Sequence, residues 1–269
     1  MNAIEVVETT ESGLDPVQPQ PMPPRRVIHA YLSEAMYESV RMLRAPGFTI
    51  PFLSLPLALY LLFGAVLYGA DIAKDPKSAQ FVFMGFAIFG IMGPGMFGFG
   101  VPLAMEREQG LLKLKRALPV PPAAPLLAKM VMSMLFVTLI MITMAAAAPI
   151  GHLHLTAWQV VALMACGIPG SLPFCAMGLF IGSIASAKGA PAFVNLLYLP
   201  MIYLSGILLP LPASMHWVEI ASPAYHLAHA ARAAMGIPNQ GATAVHVAVL
   251  VLTTLVFTAI AVRRLERAG

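Results

Sequence analysis

Apolar residues run along the chain in long blocks, broken by short stretches of charged, proline and glycine positions. The blocks cover residues 48–68, 81–104, 126–148, 158–184, 190–209 and 245–262. A helix that crosses the roughly 30 Å of a bilayer core needs about 20 mostly apolar residues, and each block has close to that length. The second, third, fourth and sixth are the cleanest. The fifth contains Pro191 and Pro200 and ends in Pro210-Leu211-Pro212, so its limits are soft. Apart from Lys129 near the start of the third, no Asp, Glu, Lys or Arg stands inside a block. The pattern predicts an all-α integral membrane fold with six transmembrane helices.

A different periodicity precedes the first block. Within 27–45, Ile28, Leu32, Ala35/Met36, Val40 and Leu43 fall on one helical side and Glu34, Glu38 and Arg41 on the other. That spacing predicts an N-terminal amphipathic helix lying in the membrane interface, with a soluble cap helix as the competing reading. Pro46 ends it and turns the chain into the bilayer. Before it, the first 24 residues hold four acidic residues, no Lys or Arg, and Pro16, Pro19, Pro21, Pro23 and Pro24, which predicts a disordered cytoplasmic tail over 1–26. No secretory signal pattern is visible there. Residues 27–269 then form one transmembrane domain.

Composition agrees with the blocks: 59% of the 269 residues are hydrophobic and only 10% charged, against about 25% charged in a soluble domain. The positive-inside rule sets the orientation. With the N-terminus in the cytoplasm, of the 16 Lys and Arg only Lys74, Lys77 and Arg232 fall outside. Both termini are therefore expected in the cytoplasm, with a multi-pass chain in the plasma membrane (a bacterial inner membrane). The basic residues flank apolar blocks and form no continuous patch, so nucleic acid is not an expected partner; membrane lipids are.

The almost uncharged interior restricts function. A proton- or sodium-coupled transporter normally carries a midplane carboxylate and a voltage sensor a basic helix; neither is present. No G-x-x-x-x-G-K-[ST] loop exists to cradle phosphates, so energy from ATP has to enter through a partner. A lipid-modifying enzyme would need a nucleophile or a paired acid and base, and Glu106 and Glu108 have no histidine nearby in sequence; no catalytic residue is assigned. His152 with His154, and His226 with His229 at i and i+3, invite a metal reading, but metal sites use three or four converging ligands, and none is assigned. Cys166 and Cys175 read as packing residues.

The loop between the second and third blocks is the conspicuous polar feature. Glu106-Arg107-Glu108-Gln109-Gly110 leads into Leu111–Leu118, where Leu alternates with Lys113, Lys115 and Arg116 at helical spacing. Pro119, Pro121, Pro122 and Pro125 stiffen the return. Glu106 to Leu112, followed by Leu118-Pro119-Val120-Pro121, resembles the E-R-E-x-G-T-x-x-x-L…P-x motif of ABC-2 type transporter permeases, with Leu111 where threonine is usual. Ser205-Gly206-Ile207-Leu208-Leu209-Pro210 and Ala221-Ser222-Pro223-Ala224-Tyr225, running to Arg232, are similar to that family's extracellular region before its last span.

The resemblance implies a cytoplasmic coupling helix that docks on an ATPase, using Glu106, Arg107, Glu108, Gly110, Leu111, Leu114, Leu118 and Pro119. It also implies short extracellular re-entrant helices, with Glu219, Pro223, Tyr225 and Arg232 as candidate gate residues. Gly93, Pro94 and Gly98 mark a candidate pathway helix, with tight helix packing as the competing reading; Gly178 and Gly182 form a G-x-x-x-G. The expected assembly is a homodimer, or a heterodimer with a similar permease, bound to two copies of an ABC ATPase that carries the ATP and Mg, no cofactor being held by this chain. The expected function is export of an amphipathic or lipid-like substrate. A non-transporting scaffold or signalling subunit is the alternative.

Overall fold

The computed structural model describes residues 23–267 except 73, 113, 115–120 and 122. The described residues are helical, with no strand among them. Helix α1 (Pro24–Leu43) is followed by α2 (Pro46–Leu61), which runs on as a π-helical turn (Leu62–Leu67), and by the single turn α3 (Gly69–Ile72). Next come α4 (Pro76–Glu108), α5 (Ala124–Ala147), α6 (Ala157–Gly167), α7 (Leu172–Ile184) and α8 (Ala190–Tyr203). The short α9 (His216–Ile220), α10 (Pro223–Ala234) and α11 (Thr243–Arg267) complete the fold.

Five stretches are long and apolar enough to cross a membrane: Pro46–Leu67, Pro76–Glu108, Ala124–Gly151, Ala157–Ile184 and Thr243–Arg267. The six spans expected from the sequence are thus met in five. The remaining one, the fifth block, expected over 190–209, is helical only through the 14 residues of α8, a rise of about 21 Å. Beyond it the backbone turns at Gly206 (φ 66°), and Pro210 and Pro212 supply no amide to rebuild a helix. The span at 157–184 is divided by a 3-10 turn, Pro169–Ser171. A side chain at Gly170 would strike Leu227 of α10, so the break makes room for that helix.

Residues 24–26, assigned to the N-terminal tail, instead form the first turn of α1, where Pro24 is favoured because its missing amide is not needed. The rest of the expected tail, up to residue 22, lies outside the described residues. Helix α1 lays Glu38, Ser39 and Met42 against the bundle and leaves Ile28, Leu32, Met36, Tyr37, Val40 and Leu43 exposed. A cap helix in water would turn that apolar stripe inward. Thr49 at the start of α2 donates its hydroxyl to the Met42 carbonyl (2.6 Å) and fixes the corner.

Helix α4 is the axle of the bundle. Its faces meet α2, α5, α7 and α8, and small residues set how closely. A Cβ on Gly178 would lie 2.6 Å from the Gly95 carbonyl oxygen, and one on Gly182 2.7 Å from that of Gly100. The G-x-x-x-G of α7 therefore packs backbone to backbone on α4, the close approach small residues permit in lipid.

Candidate functional site

At its C-terminal end α4 stops at Gln109, and Gly110 adopts φ 72°. That left-handed residue after a helix is the position where glycine carries no steric cost. Just before it, Glu106 is 4% exposed and turned into the bundle. Its Oε1 accepts from the Lys129 ammonium of α5 (2.8 Å) and from both terminal nitrogens of Arg41 in α1 (3.3 Å each). Lys129, 1% exposed, also donates to Glu38 of α1 (2.6 Å), and Arg41 donates to the same Glu38 oxygen (2.7 Å). Two carboxylates and two cations thus tie three helices at one point. A pair this deeply buried gains little over an apolar core, but removal of one partner strands a charge.

Arg107, one step around the helix, reaches the other way. It donates to the Ser183 carbonyl and to that of Ala185 (2.6 Å) at the end of α7, where a cation meets the unpaired last carbonyls. Adjacent residues of one motif therefore join α4 to α1 and α5, and to α7. Glu108, Leu111 and Leu114 are exposed, while Leu112 is half-buried against a small apolar cluster that α4, α7 and α11 share. The coupling residues predicted from sequence divide accordingly. Glu106 and Arg107 bind inward, Glu108, Leu111 and Leu114 face out, and Leu118 and Pro119 lie outside the described residues.

The opposite end of the bundle carries the candidate gate residues. Pro223 opens α10, which packs on α11, α6 and α4. Glu219, Tyr225 and Arg232 line one chamber of about 520 Å³, together with Phe81, Met84, Gly206, His216, His229 and Gln240. Glu219 and Arg232 do not pair with each other. Glu219 takes His216 (2.8 Å), and the Arg232 guanidinium stands 6.0 Å from the centre of the Phe81 ring. Gly206 is favoured here by its left-handed backbone (φ 66°), and a Cβ would also displace the Glu219 carboxylate, which lies 2.4 Å away.

Imidazoles hold this end together. His226 of α10 and His246 of α11 meet Nδ1 to Nδ1 at 2.8 Å; their Nε2 atoms reach the carbonyls of Ile220 (2.8 Å) and Gln240 (2.6 Å). His229 accepts the Gln240 amide on Nδ1 (3.0 Å) and stacks on His246 at 5.3 Å. Tyr225 lies among these rings and donates to the Gln240 side chain (3.3 Å). Burial, followed by the charge of Arg232, pushes His229 down to about 4. Sequence spacing singled out His226 with His229; the close partner is His246, 20 residues away, which no local pattern indicates. No group of three or more His, Cys, Asp or Glu is gathered as metal ligands among the described residues.

Gly93, Pro94 and Gly98 are buried. A Cβ on Gly93 would meet the Phe52 ring at 2.6 Å and one on Gly98 the Phe48 ring at 2.8 Å, so the two glycines let α2 pack closely on α4. A smaller cleft of about 220 Å³ opens between α2, α4 and α8, lined by Phe52, Phe89, Phe97, Asn195 and Tyr198. Asn195 is exposed on α8 beside Phe193 and Leu196. The sequence reading did not single it out, although a lone carboxamide inside an apolar block was there to be read.

Comparison with known proteins fits this geometry. The family model described as ABC-2 type transporter matches residues 31–237, from within α1 through the hub to just past α10. The protein named "Putative transport permease YvfS" of Bacillus subtilis (strain 168) is 26% identical over 197 residues, covering 72% of this chain and 80% of its own length. With most of the described helices inside the match, this multi-pass membrane chain belongs to the ABC-2 type transporter family.

Proposed function

We propose that the chain is the membrane-spanning subunit of an ATP-driven exporter, powered by two copies of a separate ATPase, with both termini and the ionic hub on the cytoplasmic side. One observation carries the reading: an exposed turn bearing Glu108, Leu111 and Leu114 sits directly on a hub that joins four helices. A protein docking on the turn pushes on Glu106 and Arg107, and through them on α1, α5 and α7 together. The outward apolar face of α1 supports a place in the membrane interface, and the short α9 and α10 are read as dipping into the outer leaflet.

Asn195 among exposed apolar neighbours supports a second permease copy against α8, since a bare carboxamide in lipid is costly. The aromatic cleft beside it supports an amphipathic or lipid-like substrate. Purification of the chain with its natural partners in mild detergent tests the proposal. An ATPase recovered with the wild type and lost with Leu111→Asp/Leu114→Asp, while the permease stays folded, is the expected result. A wild-type chain that purifies from native membranes without an ATPase overturns it and favours a scaffold role.

A further inference from the structure

The chamber at the histidine end is built for one class of ligand. Its donors outnumber its acceptors. The Arg232 Nε is buried without a hydrogen-bond partner among the described residues. His229 spends Nδ1 on accepting the Gln240 amide; neutral, it must then carry its proton on Nε2, as a donor. Arg232 and His229, three residues apart on α10, share a helical face, and both line the chamber. The one carboxylate of the lining, Glu219, is already taken by His216 at 2.8 Å.

The His226–His246 contact lies behind that wall, Nδ1 to Nδ1 at 2.8 Å, with each Nε2 turned to a backbone carbonyl, of Ile220 and of Gln240. Burial pushes His226 down, toward its neutral form.

We propose that this chamber binds an amphipathic oxyanion, a carboxylate or phosphate ester with an apolar tail. Arg232 and His229 take the headgroup, and Phe81, Met84, Ile207 and Leu211 take the tail. Binding here needs no ATPase, so it stands or falls separately from the exporter reading.

The test is equilibrium binding of dodecyl phosphate to the full chain in phosphatidylcholine nanodiscs, with dodecyltrimethylammonium as the cationic control. Saturable binding of the phosphate is expected, weakened about tenfold or more in Arg232→Gln and partly restored in Arg232→Lys. Competition by lysophosphatidate alone identifies a membrane-borne ligand, and competition by inorganic phosphate as well identifies a soluble one; either supports the site. Should Arg232→Gln not fold, Leu211→Trp, which fills the chamber from its edge, replaces it. Equal binding of the cationic control, or unchanged affinity in the folded variant used, overturns the proposal.

Discussion

The two ends of the bundle solve the same problem with opposite means. Where α4 meets α1, α5 and α7, carboxylates and cations are matched and, the half-exposed Arg41 apart, mostly buried: Lys129 sits between Glu38 and Glu106 at 2.6 and 2.8 Å. At the other end imidazoles, a phenol and one guanidinium surround a chamber of about 520 Å³. The first arrangement is stiff, because any displacement of one member leaves a bare charge in a medium that cannot solvate it. The second is adjustable, because imidazoles exchange donor and acceptor roles as they gain or lose a proton. The proposed exporter, with its ATPase docked at one end and the proposed ligand chamber at the other, would have use for that contrast.

The sharpest way to break the comparison is Lys129→Met, which leaves Glu38 and Glu106 facing each other. It is expected to cost about 3–5 kcal/mol in thermal unfolding in nanodiscs, and Glu38→Gln/Glu106→Gln added to it is expected to recover most of the loss. If the single variant is neutral, the hub is not the stiff end. Gly178→Val attacks what the two ends share, the backbone contact of α7 on α4, with an expected cost of about 1–3 kcal/mol by the same measurement. Gly206→Ala at the chamber combines left-handed backbone strain with the Glu219 contact, and about 1–2 kcal/mol is expected from the backbone alone.

The smallest effect separates the ends by pH. His229 is held at about 4 in the fold and near 6.5 in an unfolded chain. Between those values the unfolded state binds a proton that the fold refuses, so its stabilisation is complete above about 6.5 and lost as pH falls toward 4. Hydrogen-exchange protection of α10 is expected to drop across that window in the wild type, and to do so less in His229→Phe. A hub region that changes in step with α10 would count against a local origin.

Much of the architecture was legible in the sequence because lipid imposes blunt rules. Long uncharged blocks had to be helices, and Gly110 after a charged helix end had to be a turn. The amphipathic α1 was readable as a helix, but the face it presents was not. Glu38 looked like a solvated charge because its partner, Lys129, lies 91 residues away, and local spacing carries no record of such a pairing. Lys129 itself was visible as the one charge inside an apolar block, a signal that a buried counter-ion was waiting. The shortness of α8 was hidden for a different reason. Leu208 and Leu209 continue its hydropathy, while the turn at Gly206 stops its helix. The G-x-x-x-G of α7 was legible as a pattern, yet only the fold names α4 as its partner.

The glycine contact between α4 and α7 also fixes a lever. With a pivot near Gly98, between the contacts at Gly95 and Gly100, Glu106 stands about 12 Å along the axis on one side and Phe81 about 26 Å on the other, at 1.5 Å per residue. A rigid tilt that shifts the hub by about 1 Å therefore swings Phe81, and the chamber wall it belongs to, by about 2 Å. On the proposed coupling the short arm would receive force and the long arm deliver travel, a gearing of roughly one to two set by the position of a few glycines.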